Sequence, residues 1–253
     1  TVHFPIWHQE IQDILVLKNN KGTEDNRVRK LDYSIQLSKL FYERFIQNKE
    51  ITLFSPHDCP HLYASFGTDK FDDLYCSYEA DESISRTTVG AQELILDLLK
   101  ERAETGRIYI MNIDHCNSHS SFKDKVEMSN LCQEITLPTT PISHIDDHLG
   151  EIALCILSAV NVGKIRSDEE LEELCDLAVR GLEELIDYQD YPVLAAEQAT
   201  KARRSLGVGF IGLAHYLAKL GYSYGSQEAW DAVHSLAESF QYFLIKSSNE
   251  IAK

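Results

Sequence analysis

The sequence predicts an α/β fold with at least some parallel strands. Three observations carry this. Short runs of strand composition occur at RIYIMNI (107–113), LCQEITL (131–137) and EIALCILSAVNV (151–162). Segments longer than ten residues with helical spacing alternate with them. The run at 151–162 is continuously apolar, as a strand buried on both faces requires. Strands separated by helices of that length pair in parallel, because only a long crossover brings the chain back in the same direction.

Along the chain, residues 27–48 carry helical spacing through Leu31, Ile35, Leu37, Leu40, Phe41 and Phe45. The run 51–60 holds Pro56 and Pro60 and reads as a loop. A helix is predicted over 87–105, with Leu94, Ile95, Leu98 and Leu99 on one stripe and Gly106 just past its end. The strand 107–113 follows, then a polar, irregular stretch to residue 130. The strand 131–137 ends at Pro138, and a turn-rich loop leads through Gly150 into the strand 151–162. Ser167 with Glu170 three residues on makes a capping box, opening a helix whose stripe is Leu171, Leu174, Ala178, Leu182, Leu185 and Ile186. Two more helices are predicted, 203–219 with Gly221 at its end, and 228–251.

Composition limits the function classes. The 253 residues are 43% hydrophobic and 25% charged, ordinary for a globular protein. Net charge is −16, and no Lys/Arg cluster is large enough for a nucleic-acid face, so no nucleic acid is expected as partner. No apolar run approaches the ~20 residues needed to span a bilayer, and none is preceded by a secretory pattern. Six irregularly spaced cysteines point to chemistry in a reducing, cytoplasmic setting rather than to a disulfide scaffold. The chain opens within an apolar stretch (Val2, Phe4, Ile6, Trp7) and ends on a helical pattern, so a longer protein is expected.

Several motifs have a bland reading that outweighs the functional one. Gly207, Gly209 and Gly212 spell G-x-G-x-x-G, but the basic, polar TKARRS precedes them where a dinucleotide fold needs a strand. Close helix packing through small residues is preferred. His115, Cys116 and His119, with His144, Asp146, Asp147 and His148 downstream, are zinc-ligand types without a strong zinc spacing, so no metal is expected. Cys175 reads as core filler, Cys59 and Cys76 as loop residues, and Asp168-Glu169-Glu170 as a solvated first helical turn.

The segment Ser129–Ile135 is different. In an extended chain Asn130, Cys132 and Glu134 share one face, which then presents an amide, a thiol and a carboxylic acid. These supply a hydrogen-bonding positioner, a one-electron or nucleophilic sulfur, and a general base. Cys155 follows 23 residues later, inside the apolar run. Spacing alone leaves open a half-buried strand with an incidental cysteine.

S-N-L-C-x-E-I resembles the signature around the radical cysteine of ribonucleotide reductase large subunits. ITLFSP (51–56), GRIYIMNIDHCNSH (106–119), GEIALCILSAVNVG (150–163), LIDYQDYP (185–192), ARRSLGVGFIGLAHYLAK (202–219) and residues 16–45 also resemble family segments, in family order. The resemblance covers essentially the whole chain and is closest to the class I diphosphate enzymes. It implies a central portion of the catalytic alpha subunit, residues 1–253, incomplete at both ends. The implied fold is a ten-stranded α/β barrel of two five-stranded parallel halves, with the radical cysteine on a central finger loop.

By the same resemblance Cys132 is the thiyl radical that takes the ribose 3′-hydrogen, Glu134 the base for the 3′-hydroxyl, and Asn130 a substrate-orienting amide. Cys155 is one of the redox pair that reduces the 2′-position. Ser129 joins Asn130 and Glu134 as substrate-binding, and the side chain of Gln133 is expected to face away from substrate. The implied partners are a ribonucleoside diphosphate, a metal-bearing small (beta) subunit that starts the radical, the rest of the large subunit, and thioredoxin or glutaredoxin. ATP and dNTP effectors would bind the complete enzyme, and no cofactor is expected on this portion itself. The alternatives are a non-catalytic module that only binds other reductase subunits, a relative using triphosphates or another radical generator, and a zinc-binding α/β protein.

Overall fold

The structure, a computed structural model, describes residues 1–253, the side chain of Asn26 excepted. The chain divides into two units, Thr1–Thr139 and Thr140–Lys253.

The first unit is built on a parallel sheet ordered β1 (Val2–Pro5), β2 (Tyr33–Leu37), β5 (Ile108–Asn112). Helix α1 (Ile11–Leu15) follows β1, and α2 (Lys39–Ile46) follows β2. An antiparallel pair, β3 (Glu50–Phe54) with β4 (Arg86–Gly90), encloses α3 (Pro60–Ser65) and α4 (Phe71–Ala80). Helix α5 (Ala91–Thr105) leads into β5, and the short α6 (Ile113–Ser118) follows it.

The helix expected over 27–48 is thus a strand followed by a helix. All five residues of β2 are buried. Tyr33, Ile35 and Leu37 alternate with the polar Ser34 and Gln36, which is strand period; Leu31, Ile35 and Leu40 mimic helical spacing only across the join. The segment 51–60 also departs from expectation. Its first four residues belong to β3 because Pro56 and Pro60 lie beyond the pairing, and Pro60 starts α3. Helix α5 ends as predicted, with Gly106 in the left-handed region (φ 64°) and its N–H on the Arg102 carbonyl at 2.8 Å. Of the cysteines assigned to loops, Cys59 is buried in the core and Cys76 lies on α4.

The core of this unit is aromatic. Phe41, Phe54, Phe66, Phe71, Tyr75 and Trp7 are all 3% exposed or less. Tyr75 sits 5.5 Å from Phe41 and 5.6 Å from Phe54 in edge-on contacts. Its hydroxyl donates to the Thr52 carbonyl (2.6 Å) and accepts the Thr52 N–H (2.8 Å).

The second unit contains one parallel pair, β6 (Ile156–Asn161) with β7 (Leu206–Ile211). Between them run α7 (Asp168–Tyr188) and α8 (Leu194–Arg203); α9 (Leu213–Leu220) and α10 (Gln227–Ile251) follow. The helix expected over 203–219 is therefore the end of α8, strand β7, a tight turn and α9. Gly212 makes that turn (φ 81°), and a Cβ there would lie 2.4 Å from Asn161 Oδ1. Gly207 and Gly209 lie on β7 itself, which replaces the helix-packing reading of those glycines. The strand expected over 151–162 shortens to six residues, of which only Val160 is buried. Val160, Val162, Leu171, Cys175, Leu236 and Phe240 form the core here. Cys175 is core filler as expected, and burial pushes its thiol up to about 11.

Helix α7 begins at Ser167, whose Oγ accepts the Glu170 N–H at 3.3 Å. The Glu170 carboxylate accepts the N–H of Arg166 (2.8 Å) rather than that of Ser167, so the box is displaced by one residue. Ser167→Ala is expected to cost about 1 kcal/mol, read as a lower urea midpoint. An unchanged midpoint would show that the Glu170 contact carries this helix end.

Candidate active site

From residue 119 to 155 the chain forms neither helix nor strand. Side chains of the first unit's sheet and of α6 hold the stretch that leads to the signature. Asn117 grips Val126 with both amide atoms: Nδ2 donates to its carbonyl (2.9 Å) and Oδ1 accepts its N–H (2.8 Å). Val126 is fully buried. Gln36, 4% exposed on β2, donates from Nε2 to the Glu127 carbonyl at 2.7 Å. His3 on β1 reaches Ser129. Its Nδ1 lies 2.7 Å from the Ser34 hydroxyl and 3.4 Å from the Gln133 amide, and its Nε2 lies 3.1 Å from the Ser129 carbonyl and 3.3 Å from the Ser129 N–H. Burial lowers the His3 pKa from its ordinary value, favouring the neutral ring.

Residues Ser129–Ile135 then close on themselves. Ser129 Oγ donates to the Ile135 carbonyl, and Asn130 Oδ1 accepts the Ile135 N–H (3.1 Å). Inside that ring the Gln133 N–H donates to the Asn130 carbonyl (3.3 Å), and Gln133 adopts φ 66°. A loop closed at residues 129 and 135 cannot be extended, which corrects the strand expected over 131–137. Asn130, Cys132 and Glu134 therefore do not share a strand face. All three are exposed on one turn, with Cys132 near its tip. The Gln133 side chain bonds to His3 and lines a cleft of about 400 Å³ with Met111, His115, Cys116, His119 and Ser129. That cleft lies at the C-terminal end of β5, where α/β sheets commonly bind ligands.

Cys155 lies in the second unit, immediately before β6, and is half-buried rather than inside a buried strand. Gly207 on β7 makes room for it. A Cβ at Gly207 would lie 3.1 Å from Cys155 Sγ and 2.4 Å from Leu157 Cδ2. Gly207→Ala is expected to displace the thiol by a few tenths of an ångström and change its alkylation rate. Gly209→Ala, where a Cβ meets nothing within 4 Å, is the control and should leave that rate unchanged. Equal rates in both variants would show that Gly207 does not set the thiol's position. Among the described residues no disulfide joins any of the six cysteines.

The rings of His115 and His119 meet edge to face at 5.6 Å, and His119 Nδ1 lies 3.1 Å from the His115 carbonyl. Asp147 accepts from Ser143 N, Ser143 Oγ and Leu149 N, each at 2.8 Å, which holds its carboxyl far below the usual range. Among the described residues no three His, Cys, Asp or Glu side chains gather to hold a metal. No helix among them is long and apolar enough to cross a membrane.

Sequence reasoning missed His3, Gln36 and Asn117. The polar alternation of Ser34 and Gln36 within an apolar strand was the available signal, hidden by the helical reading of that segment.

The chain matches the family described as "Ribonucleotide reductase, barrel domain" over residues 1–253. It is 56% identical over its full length to the ribonucleoside-diphosphate reductase subunit alpha of Haemophilus influenzae. Identity is 52% to the corresponding 1 subunit alpha of Escherichia coli and 51% to that of Salmonella typhimurium, again over the full chain. In each case the chain spans 34% of the relative's length.

Proposed function

The chain belongs to the ribonucleotide reductase barrel-domain family, and from that premise we propose that it forms the central part of a catalytic alpha subunit that reduces ribonucleoside diphosphates to 2′-deoxyribonucleoside diphosphates. The observation that carries this reading is the closed loop Ser129–Ile135, which presents a thiol and a carboxylate two residues apart in a chain matched end to end by the family.

In this reading the Cys132 sulfur, as a thiyl radical, takes the 3′-hydrogen of the bound ribose and becomes a thiol. Glu134 accepts the 3′-hydroxyl proton while the 2′-hydroxyl, protonated by a thiol of the redox pair, leaves as water. Cys155 and a second cysteine elsewhere in the subunit then give a hydrogen atom to C2′ and an electron to the 3′-ketone, ending as a disulfide, and Glu134 returns its proton to the 3′-oxygen. Cys132 then returns its hydrogen atom to C3′ and is again a radical. Asn130 and Ser129 orient the substrate. The radical begins on a metal-bearing small subunit, and thioredoxin or glutaredoxin reduces the disulfide. ATP and dNTP effectors act on the complete subunit. The parallel sheets of the two units belong to a ten-stranded α/β barrel with the Cys132 loop as its central finger.

The test is nucleotide reduction by the complete subunit with its small subunit and a dithiol, with and without Cys132. Product that depends on Cys132 supports the reading. No product from the unsubstituted, folded complex would overturn it in favour of a module that only binds other subunits.

A further inference from the structure

We propose that His3, together with Gln36 and Asn117, forms a clamp that positions the Cys132 loop for hydrogen abstraction, His3 acting as a positioning residue and not touching substrate. The proposal rests on the reading of Cys132 given above.

Strands β1 and β2 and helix α6, which follows β5, each send one side chain to the backbone of 126–129. Asn117 takes both polar groups of Val126, Gln36 takes the Glu127 carbonyl, and His3 takes the Ser129 backbone. Beyond Ser129 the loop bonds to itself, through Ser129 Oγ, Asn130 Oδ1 and the Asn130–Gln133 turn, and the Thr1 hydroxyl donates to the Leu131 carbonyl at 3.3 Å. It therefore moves as one piece, and the place of the Cys132 thiol is set where that piece is anchored. His3 is the last anchor before the turn and the one with a second grip, because the Gln133 side chain inside the loop also bonds to its Nδ1 (3.4 Å). Ser34 beneath it, fully buried on β2, fixes the ring at 2.7 Å. Gln36 is likewise buried, so two polar side chains stand inside the sheet for the sake of this segment. Radical hydrogen transfer needs sulfur and carbon in near contact, and a misplacement of about 1 Å costs on the order of a hundredfold in rate.

The test uses the complete subunit with His3→Phe and His3→Gln. Phenylalanine fills the site without a hydrogen bond; glutamine keeps a side-chain amide that can bond the Ser129 backbone. Hydrogen exchange of the 126–135 amides is expected to speed up about tenfold or more in His3→Phe and to return toward the original rate in His3→Gln, with melting temperatures close to the original. Unchanged exchange in His3→Phe overturns the clamp whether or not the enzyme turns over. In turnover, kcat should fall about 10- to 100-fold in His3→Phe at unchanged KM, with recovery in His3→Gln. Full kcat in His3→Phe, beside an active unsubstituted enzyme and an inactive Cys132→Ser, overturns the positioning role. If the unsubstituted enzyme is inactive, the functional reading fails and takes the positioning role with it, while the exchange result still decides the clamp.

Discussion

Cys132→Ser in the complete subunit is expected to abolish nucleotide reduction, a fall of at least about a thousandfold to background. The substitution exchanges one sulfur for one oxygen on an exposed turn. The contacts that close the turn come from Ser129, Asn130, Gln133 and Ile135, and none uses the thiol. The fold should therefore be indifferent, within about 0.5 kcal/mol, and the loss should lie in the chemistry. Serine cannot replace the sulfur, because the O–H bond is too strong to be exchanged reversibly against the ribose C–H. The measurement is deoxyribonucleotide formed per subunit, beside a melt of the same preparation. Lost activity with an unchanged melt assigns the radical to Cys132. Substantial product from the serine variant would remove that assignment, and with it the roles given to Glu134 and Asn130.

The fold class was legible because it depends on the order of elements, and that order survives errors in individual segments. The runs at 107–113 and within 151–162 became β5 and β6, and the capped helix and the stop at Gly106 stand where local chemistry put them. The helices misread over 27–48 and 203–219 share a cause. β2 and β7 are each joined within two residues to a following helix, so one window contains two periods and the longer one dominates. In the site, the residue types were legible and their geometry was not. Alternation at 130, 132 and 134 suggested a strand, yet Asn130 and Ser129 spend their side chains on Ile135 and fold the segment into a turn. Such local competition leaves no periodic trace, and the distant partners His3, Gln36 and Asn117 are separated from it by 9 to 126 residues.

The largest effect on stability is expected from Phe41→Ala, at about 3–5 kcal/mol. Phe41 is fully buried on α2, and its ring contacts Phe66 (6.2 Å), Phe71 (6.0 Å) and Tyr75 (5.5 Å). Those neighbours cannot collapse into the space left behind. Tyr75 is tied to Thr52 through both hydroxyl contacts and lies under the Arg44 guanidinium at 5.0 Å, while Arg44 is held by Glu79 with its two nitrogens at 2.6 and 2.5 Å. A rigid wall keeps the cavity open, which places the cost near the upper part of the range. Against a total stability of about 5–15 kcal/mol for a domain, much of the first unit's margin would be gone. Urea unfolding followed by Trp7, buried in the same core and 6.0 Å from Phe66, reports that unit. Ile46→Ala on the same helix is the control, since Ile46 is 77% exposed and should change stability by no more than about 0.5 kcal/mol. A shift below about 1 kcal/mol for Phe41→Ala would mean that the aromatic cluster yields and refills the gap. The Tyr75 and Arg44 contacts would then have to be flexible rather than the fixed wall that their geometry describes.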